Sequence, residues 1–245
     1  MGTFVSLVVP VYNEDAVLGR FGSELFDHVE PDWEIVFVDD GSVDRTPEIL
    51  AAIALSHPNV RVVCHPHNRG IGAALRTGVR EARGDIVVTM DSDLSHPFDV
   101  VRTLVDACGE FDAAYGSRLV AGGGMVGVPW FRQIISYAGN AVFRLLFWSR
   151  IRDLTTGFRA YRSAVVRDLP LIEDGYPIQL EISVHLLARG ATVTEVPLVL
   201  ENRAAGESKM KYLRLIPRYV AVTLRLLGVR WALKGRHTSH PSRLP

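Results

Sequence analysis

Gly84-Asp85-Ile86-Val87-Val88-Thr89-Met90-Asp91-Ser92-Asp93 decides how the rest of the chain is read. A short apolar run, suited to a buried parallel strand, passes straight into two carboxylates spaced i, i+2. In open α/β sheets ligands collect at the carboxyl ends of the strands. Two acids delivered there suit a hard divalent cation, with water and nucleotide phosphates completing its oxygen shell. Asp-x-Asp arises about once by chance in a chain with this many aspartates, so the motif draws its meaning from its company.

That company is an alternating pattern. Over the first 116 residues, strand-like runs at 4–10, 33–39, 60–65, 85–90 and 113–116 alternate with helical periodicity at 15–29, 47–56, 70–83 and 99–108. Alternation of this kind predicts an α/β/α sandwich whose mostly parallel sheet is joined by right-handed crossovers. Thr46 then Pro47 reads as a helix start, a capping hydroxyl before the residue whose missing N–H costs nothing there. Past Gly116 the pattern changes. Residues 122–124 read as a mobile glycine loop and 130–148 as a largely apolar helix bearing Arg132, Asn140 and Arg144. A short helix near 163–168, a helix at 179–189 capped by Gly190 and a strand at 192–200 follow. A last helix lies near 211–229, with Pro217 inside it. The implied organisation is one domain over 1–210, an amphipathic helix over 211–234 and a flexible tail over 235–245.

Of the 245 residues 48% are apolar, enough for a sizeable core. Cys64 and Cys108 offer neither a disulfide framework nor a metal-ligand spacing, which suits a reducing compartment. No signal peptide is read, because Phe4 to Val9 already reads as a strand. The opening Met-Gly-Thr-Phe-Val-Ser matches a myristoylation pattern only formally. The net charge of zero conceals a split: residues 1–202 carry net −9 and residues 203–245 net +9. Charge segregated this way predicts a polyanionic partner, either anionic lipid or a phosphorylated ligand. No nucleic-acid-binding motif accompanies the basic segment, so nucleic acid is not an expected partner.

Two further strand ends carry acids. Pro10-Val-Tyr-Asn-Glu14 follows the first strand and Val38-Asp-Asp-Gly-Ser42 the second, with Asn13 and Gly41 fitted to sharp turns. Carboxylates there can accept hydrogen bonds from a base or a ribose hydroxyl, and Tyr12 offers a ring to lie beside a base. Either stretch alone also reads as a capped strand-to-helix turn. With Asp91 and Asp93, three acidic ends converge on one sheet edge. Asn68-Arg-Gly70-Ile-Gly72 is not a dinucleotide fingerprint, because Leu75 replaces the third glycine and the stretch lies off the first strand-to-helix turn.

Together with Asp91-Ser-Asp93-Leu-Ser-His-Pro97 and Gly116-Ser-Arg118, these stretches resemble family-2 glycosyltransferases of the GT-A fold. Asp153-Leu-Thr-Thr-Gly-Phe-Arg159, Gly175-Tyr-Pro-Ile-Gln-Leu-Glu181 and Arg203-Ala-Ala-Gly-Glu-Ser-Lys209 narrow the resemblance to dolichol-phosphate (polyprenol-phosphate) mannosyltransferases. It covers about residues 4–210. The resemblance implies that Pro10, Tyr12, Glu14, Val38 and Asp40 contact the nucleotide. It makes Asp91 and Asp93 the ligands of Mg²⁺ or Mn²⁺ and sets Ser92 beside the nucleotide sugar. Arg118, Arg203 and Lys209 match phosphate-contacting positions, Arg as a planar fork and Lys as a point charge. Ser95 stands where some relatives carry Gln, which leaves that metal position to water. Glu181, with Gln179, falls on a helix beside the site, there to orient the sugar or a basic side chain.

The implied reaction is metal-dependent, inverting transfer of mannose from GDP-mannose to a polyprenyl phosphate. Such a phosphate is mostly dianionic at about pH 7 and needs no general base. Rival expectations are glucose or another sugar from a UDP donor, and a catalytically silent GT-A binding subunit. A nucleotide-sugar pyrophosphorylase would need a glycine-rich phosphate loop where this chain has Val11-Tyr-Asn-Glu14. The lipid also needs a docking surface. Lys211, Arg214, Arg218 and Arg225 fall 3, 4 and 7 residues apart, hence on one helix face. That helix is expected to lie in the headgroup plane of an anionic membrane, too short and too charged to span it. The 130–148 helix adds a second apolar contact. The expected location is cytoplasmic, peripheral on the membrane face.

Overall fold

The computed structural model describes residues 3–201 and 212–237, without the side chains of 212–214 and 230–237. The first part alternates as expected: β1 (Val5–Val11), α1 (Asp15–Phe26), β2 (Glu34–Asp39), α2 (Thr46–Ser56), β3 (Val60–Cys64), α3 (Ile71–Glu81), β4 (Ile86–Thr89), α4 (Asp99–Ala107) and β5 (Ala113–Ser117). There follow β6 (Gly124–Val126), α5 (Trp130–Phe147), β7 (Arg159–Arg162), α6 (Ser163–Val166), α7 (Ile178–Ala188), β8 (Val193–Pro197), β9 (Val199–Glu201) and α8 (Tyr212–His237).

The main sheet runs β3-β2-β1-β4-β7-β5-β8. Strands β3, β2, β1 and β4 are parallel, and β5 is parallel to β8. The chain winds outward from β1 to β3, then returns to place β4 on the other side of β1. That reversal opens a crevice at the carboxyl edge, between the ends of β1 and β4. Strand β7 departs from the expected pattern. It inserts antiparallel between β4 and β5, with Arg159 opposite both Thr89 and Tyr115. The strand expected at 192–200 is divided at Leu198, and its second part pairs with β6 in a small separate sheet. Gly124, expected in a mobile loop, belongs to that sheet.

Period-two alternation sorts the core onto the two faces of the sheet. Val5, Leu7, Val9 and Val11 pack with Leu18, Phe21, Leu50 and Leu104 from α1, α2 and α4. Val8, Val36 and Val38 face the other way, among residues of α3, α7 and α8. Helix α3 lies unusually close: a methyl group on Gly78 would meet Val8 Cγ1 at 2.2 Å. Glycine at that position lets the helix and the turn before it reach the sheet edge. Helix α8 packs on α7 and α5, with Val222 and Leu226 buried. It continues past Lys234 to His237, where a tail was expected. Cys64 and Cys108 are unpaired.

Candidate active site

The first two strand ends interlock. Asn13, at φ 49°, donates its N–H to Ser42 Oγ (2.9 Å) and accepts the Val43 N–H on Oδ1 (2.9 Å). Asp39 Oδ1 accepts the Ser42 N–H at 3.0 Å. The Thr46 hydroxyl, expected to cap α2, instead accepts the Glu14 N–H at 2.9 Å, and Asp44 takes the Thr46 N–H. Tyr12 and Glu14 therefore sit on a braced shelf at the end of β1. Asp40 is committed within the protein. Its Oδ1 accepts from His65 Nδ1 (2.7 Å) and the Arg69 N–H (3.0 Å), and its Oδ2 from the Gly70 N–H (2.7 Å). On its other side His65 Nε2 lies 2.9 Å from Thr77 Oγ1. Asp40 thus pins the turn entering α3. Pro10 and Val38 face each other in register inside the sheet, both buried, with the Val38 side chain under α3. Only main chain remains at these two positions to meet a ligand.

At the end of β4, Asp91 and Asp93 both line one cavity of about 830 Å³, together with Ser95 and His96. Ser92 is buried beside them and is not part of the cavity wall. Asp93 Oδ1 accepts the Ser95 N–H (3.0 Å), which curls the loop back on itself. The His96 ring stacks on Phe158 at 4.9 Å. Among the described residues no three His, Cys, Asp or Glu side chains gather as a metal site. The donor set is therefore two hard oxygen ligands facing an open cavity. It fits Mg²⁺ or Mn²⁺ completed by water and substrate phosphates rather than a closed protein cage.

Arg118, just beyond β5, is gripped by a loop that sequence reasoning did not single out for the site. Its Nε and Nη2 donate to the two Asp153 oxygens at 2.7 and 2.8 Å, and Nη2 also reaches Thr155 Oγ1 at 3.2 Å. Asn140 of α5 donates to Thr155 Oγ1 (3.0 Å) and accepts the Leu154 N–H (2.8 Å). Behind this loop lies Arg159, wholly buried over the Tyr115 ring at 3.9 Å. It donates to Leu154 O (2.7 Å), Gln179 O (3.0 Å) and Ser183 Oγ (3.0 Å). The 153–157 loop is thereby fixed to β7 and α7. Arg132, Ser136 and Asn140 line the same cavity. Their i, i+4, i+8 spacing on an otherwise apolar helix is the signal that could have found them.

The same cavity is walled by apolar residues of α5 and α8 such as Ile135, Val142, Phe143, Val220 and Leu224. Helix α8 is turned the opposite way from its expected orientation. Arg218 pairs with buried Glu173 (2.5 Å) and Arg225 with buried Glu181 (2.6 Å), so both point at the domain. Lys211 and the Arg214 side chain lie outside the described residues, as do Arg203 and Lys209. The other Glu181 oxygen accepts the N–H groups of Ile172 and Glu173 at 3.1 and 2.9 Å. Glu181 thus joins Arg225 of α8 to the segment before α7.

A carboxylate pair at a topological switch point, faced by a clamped arginine on the next strand end, belongs to the GT-A glycosyltransferases. The glycosyl transferase family 2 model matches residues 6–169, and the chain belongs to that family. It is 35% identical over 233 residues to an undecaprenyl-phosphate mannosyltransferase of Micrococcus luteus, covering 93% of this chain and 96% of that protein. It is 37% identical over 225 residues to a dolichol-phosphate mannosyltransferase of Pyrococcus furiosus, covering 87% of this chain and 63% of that longer protein. Identity to a polyprenol monophosphomannose synthase of Mycolicibacterium smegmatis is 33% over 238 residues, covering 94% and 87%. Among solved structures, a Mycobacterium tuberculosis glucosyl-3-phosphoglycerate synthase in complex with Mn²⁺, UDP and glucosyl-3-phosphoglycerate superposes with a TM-score of 0.72 at 22% identity, covering 93% of this chain and 81% of that one. That likeness shows the shared fold.

Proposed function

We propose that the protein transfers mannose from GDP-mannose to a polyprenyl phosphate, with inversion at the anomeric carbon. One observation carries this reading: a single cavity is lined both by carboxylates and arginines and by apolar side chains of α5 and α8. A phosphate head on an isoprenoid tail has the same division, and burying the tail there is favourable at about 25 cal/mol per Å². The activities for which the three relatives are named support both the sugar and the lipid.

In this reading the acceptor phosphate lies against Arg118, Arg132 and Ser136. Mostly dianionic at neutral pH, it attacks the anomeric carbon from the side opposite the nucleotide, and the new C–O bond forms as the bond to the diphosphate breaks. No side chain has to take a proton. Arg118, held in place by Asp153, presents a guanidinium where negative charge moves from acceptor to leaving group. Asp91 and Asp93 would hold Mg²⁺ or Mn²⁺, which supplies positive charge to the departing diphosphate. We assign Arg203 and Lys209 to the same phosphates and Tyr12 and Glu14 to the nucleoside. No helix among the described residues is long and apolar enough to cross a membrane. We assign the exposed apolar side of α5 to the membrane surface.

The test supplies radiolabelled GDP-mannose and UDP-glucose in parallel, with a short polyprenyl phosphate and Mg²⁺ or Mn²⁺. Metal-dependent passage of mannose label into the organic phase, abolished in Asp93→Ala, is expected. Label from UDP-glucose alone would replace the donor, and label from neither, in folded protein, would overturn the reading.

A further inference from the structure

One cavity side chain takes no part in the steps above. Gln179 lies in the first turn of α7, is only 6% exposed, and lines the cavity that Asp91 also lines. Its Oε1 is buried without a hydrogen-bond partner. A buried amide oxygen left in that state costs stability, so something other than the hydrogen bonds of the fold keeps an amide at this position. The residue is not loose. Arg159 Nη1 and Ser183 Oγ both donate to its main-chain carbonyl, at 3.0 and 2.8 Å, so the side chain projects from a fixed base.

Gly157 completes the arrangement. A methyl group there would lie 3.5 and 3.6 Å from the two Asp91 carboxylate oxygens and 3.6 Å from Gln179 Nε2. Carboxylate and carboxamide thus flank one small space, kept open by the absent side chain at residue 157. Backbone geometry does not require this glycine, because its φ is outside the left-handed region and the added contacts would be ordinary ones. The amide atom on this space is Nε2, a donor, and the carboxylate opposite is an acceptor, so a group between them must both accept and donate. A sugar hydroxyl does so; a phosphate oxygen does not.

We propose that Gln179 reads a hydroxyl of the sugar being transferred, its Nε2 donating to that hydroxyl, and that Gly157 leaves the room for that sugar. The inference rests on the cavity being the nucleotide-sugar site and names a specificity-determining residue within it.

The experiment measures calorimetric binding of GDP, GDP-mannose, UDP and UDP-glucose, each with Mn²⁺, to the full chain and to Gln179→Leu and Gly157→Ala. Both variants are expected to bind the preferred nucleotide sugar about three- to tenfold more weakly, while the matching nucleoside diphosphate stays within about twofold. The melting temperature of Gln179→Leu should not fall, since an unpartnered polar atom has been removed. Equal losses for sugar and diphosphate would assign Gln179 to the metal and phosphates and overturn the proposal. Unchanged binding, or a lowered melting temperature with no sugar-specific loss, would overturn it as well. The loss is read on whichever nucleotide sugar binds, so a wrong donor assignment appears separately, in the transfer assay. Binding of none of the four by the unaltered protein would overturn both readings.

Discussion

Asp153 has no exposed surface, and both of its oxygens are taken by Arg118. Burial by itself raises a carboxyl pKa; the Arg118 charge, its hydrogen bonds and the nearby Arg159 outweigh that and hold Asp153 below its ordinary value. Glu34 is shifted the same way: burial raises it, and hydrogen bonds from the Ser6 hydroxyl, Arg61 and the Arg83 N–H prevail. A carboxylate with a depressed folded-state pKa contributes stability that is full above its unfolded value, about 4, and disappears as pH falls through the folded value. Acid unfolding monitored by circular dichroism should therefore set in below about pH 4 and be less steep in Asp153→Asn. At neutral pH that variant should lose about 3 kcal/mol in a denaturant titration, since Arg118 is left without its buried partner. Transfer should slow as well, because the guanidinium is no longer aimed. Asp40 illustrates the same economy of placement: its acceptors serve the turn entering α3.

Helix α8 is tied down by two ion pairs whose acids are buried, and its apolar residues line the cavity. Breaking a buried pair from one side leaves an uncompensated charge, whereas replacing both partners with apolar groups can be nearly neutral. Glu181→Gln should therefore raise KM for the lipid acceptor several-fold while KM for the nucleotide sugar stays within about twofold. Glu181→Leu combined with Arg225→Leu should recover part of the loss, and a double-mutant cycle on acceptor KM measures how much. The existence of α8 was legible in the sequence; its rotation was not. Periodicity shows that Arg218 and Arg225 share a face, but the acids that turn this face inward lie at least 44 residues away in sequence. Strand β7 escaped for a related reason. Arg-Ala-Tyr-Arg has no apolar run, and what makes it a strand is the tertiary burial of Arg159 and Tyr161. The strands that end at Asp39 and Thr89 were readable because their burial is written in consecutive apolar residues, and Asp91, Asp93 and Arg118 came with them. Asn140 and Asp153 stood in stretches the sequence made visible, but their meeting around Arg118 and Thr155 is tertiary and no spacing announces it.

At the scale of the whole molecule, exposed apolar surface among the described residues is concentrated on α5. Trp130 and Leu145 are 73% and 74% exposed, with Ile134, Tyr137 and Val142 between them. Because Arg218 and Arg225 are paired with Glu173 and Glu181, apolar insertion is expected to outweigh basic attraction in the proposed membrane contact. Each withdrawn cation removes about 1 kcal/mol of attraction to anionic lipid. Sedimentation with anionic liposomes should show Trp130→Ala with Leu145→Ser weakening binding more than a rise in salt does. No binding by the unaltered protein at low salt would remove the membrane from the account. The antiparallel strand β7 also sets an order on synthesis. As the chain emerges, β1 to β4 can pair among themselves, but β4 then keeps a bare edge until Arg159–Arg162 arrives about seventy residues later. At ribosomal rates of about 5–20 residues per second this interval lasts roughly 4–14 s. Strand β5 has no sheet neighbour earlier than itself, so it too must wait. During that interval the nascent half-sheet offers a ready template for a foreign strand. Four polar-ended residues close the gap, and they give newborn chains their most vulnerable moment.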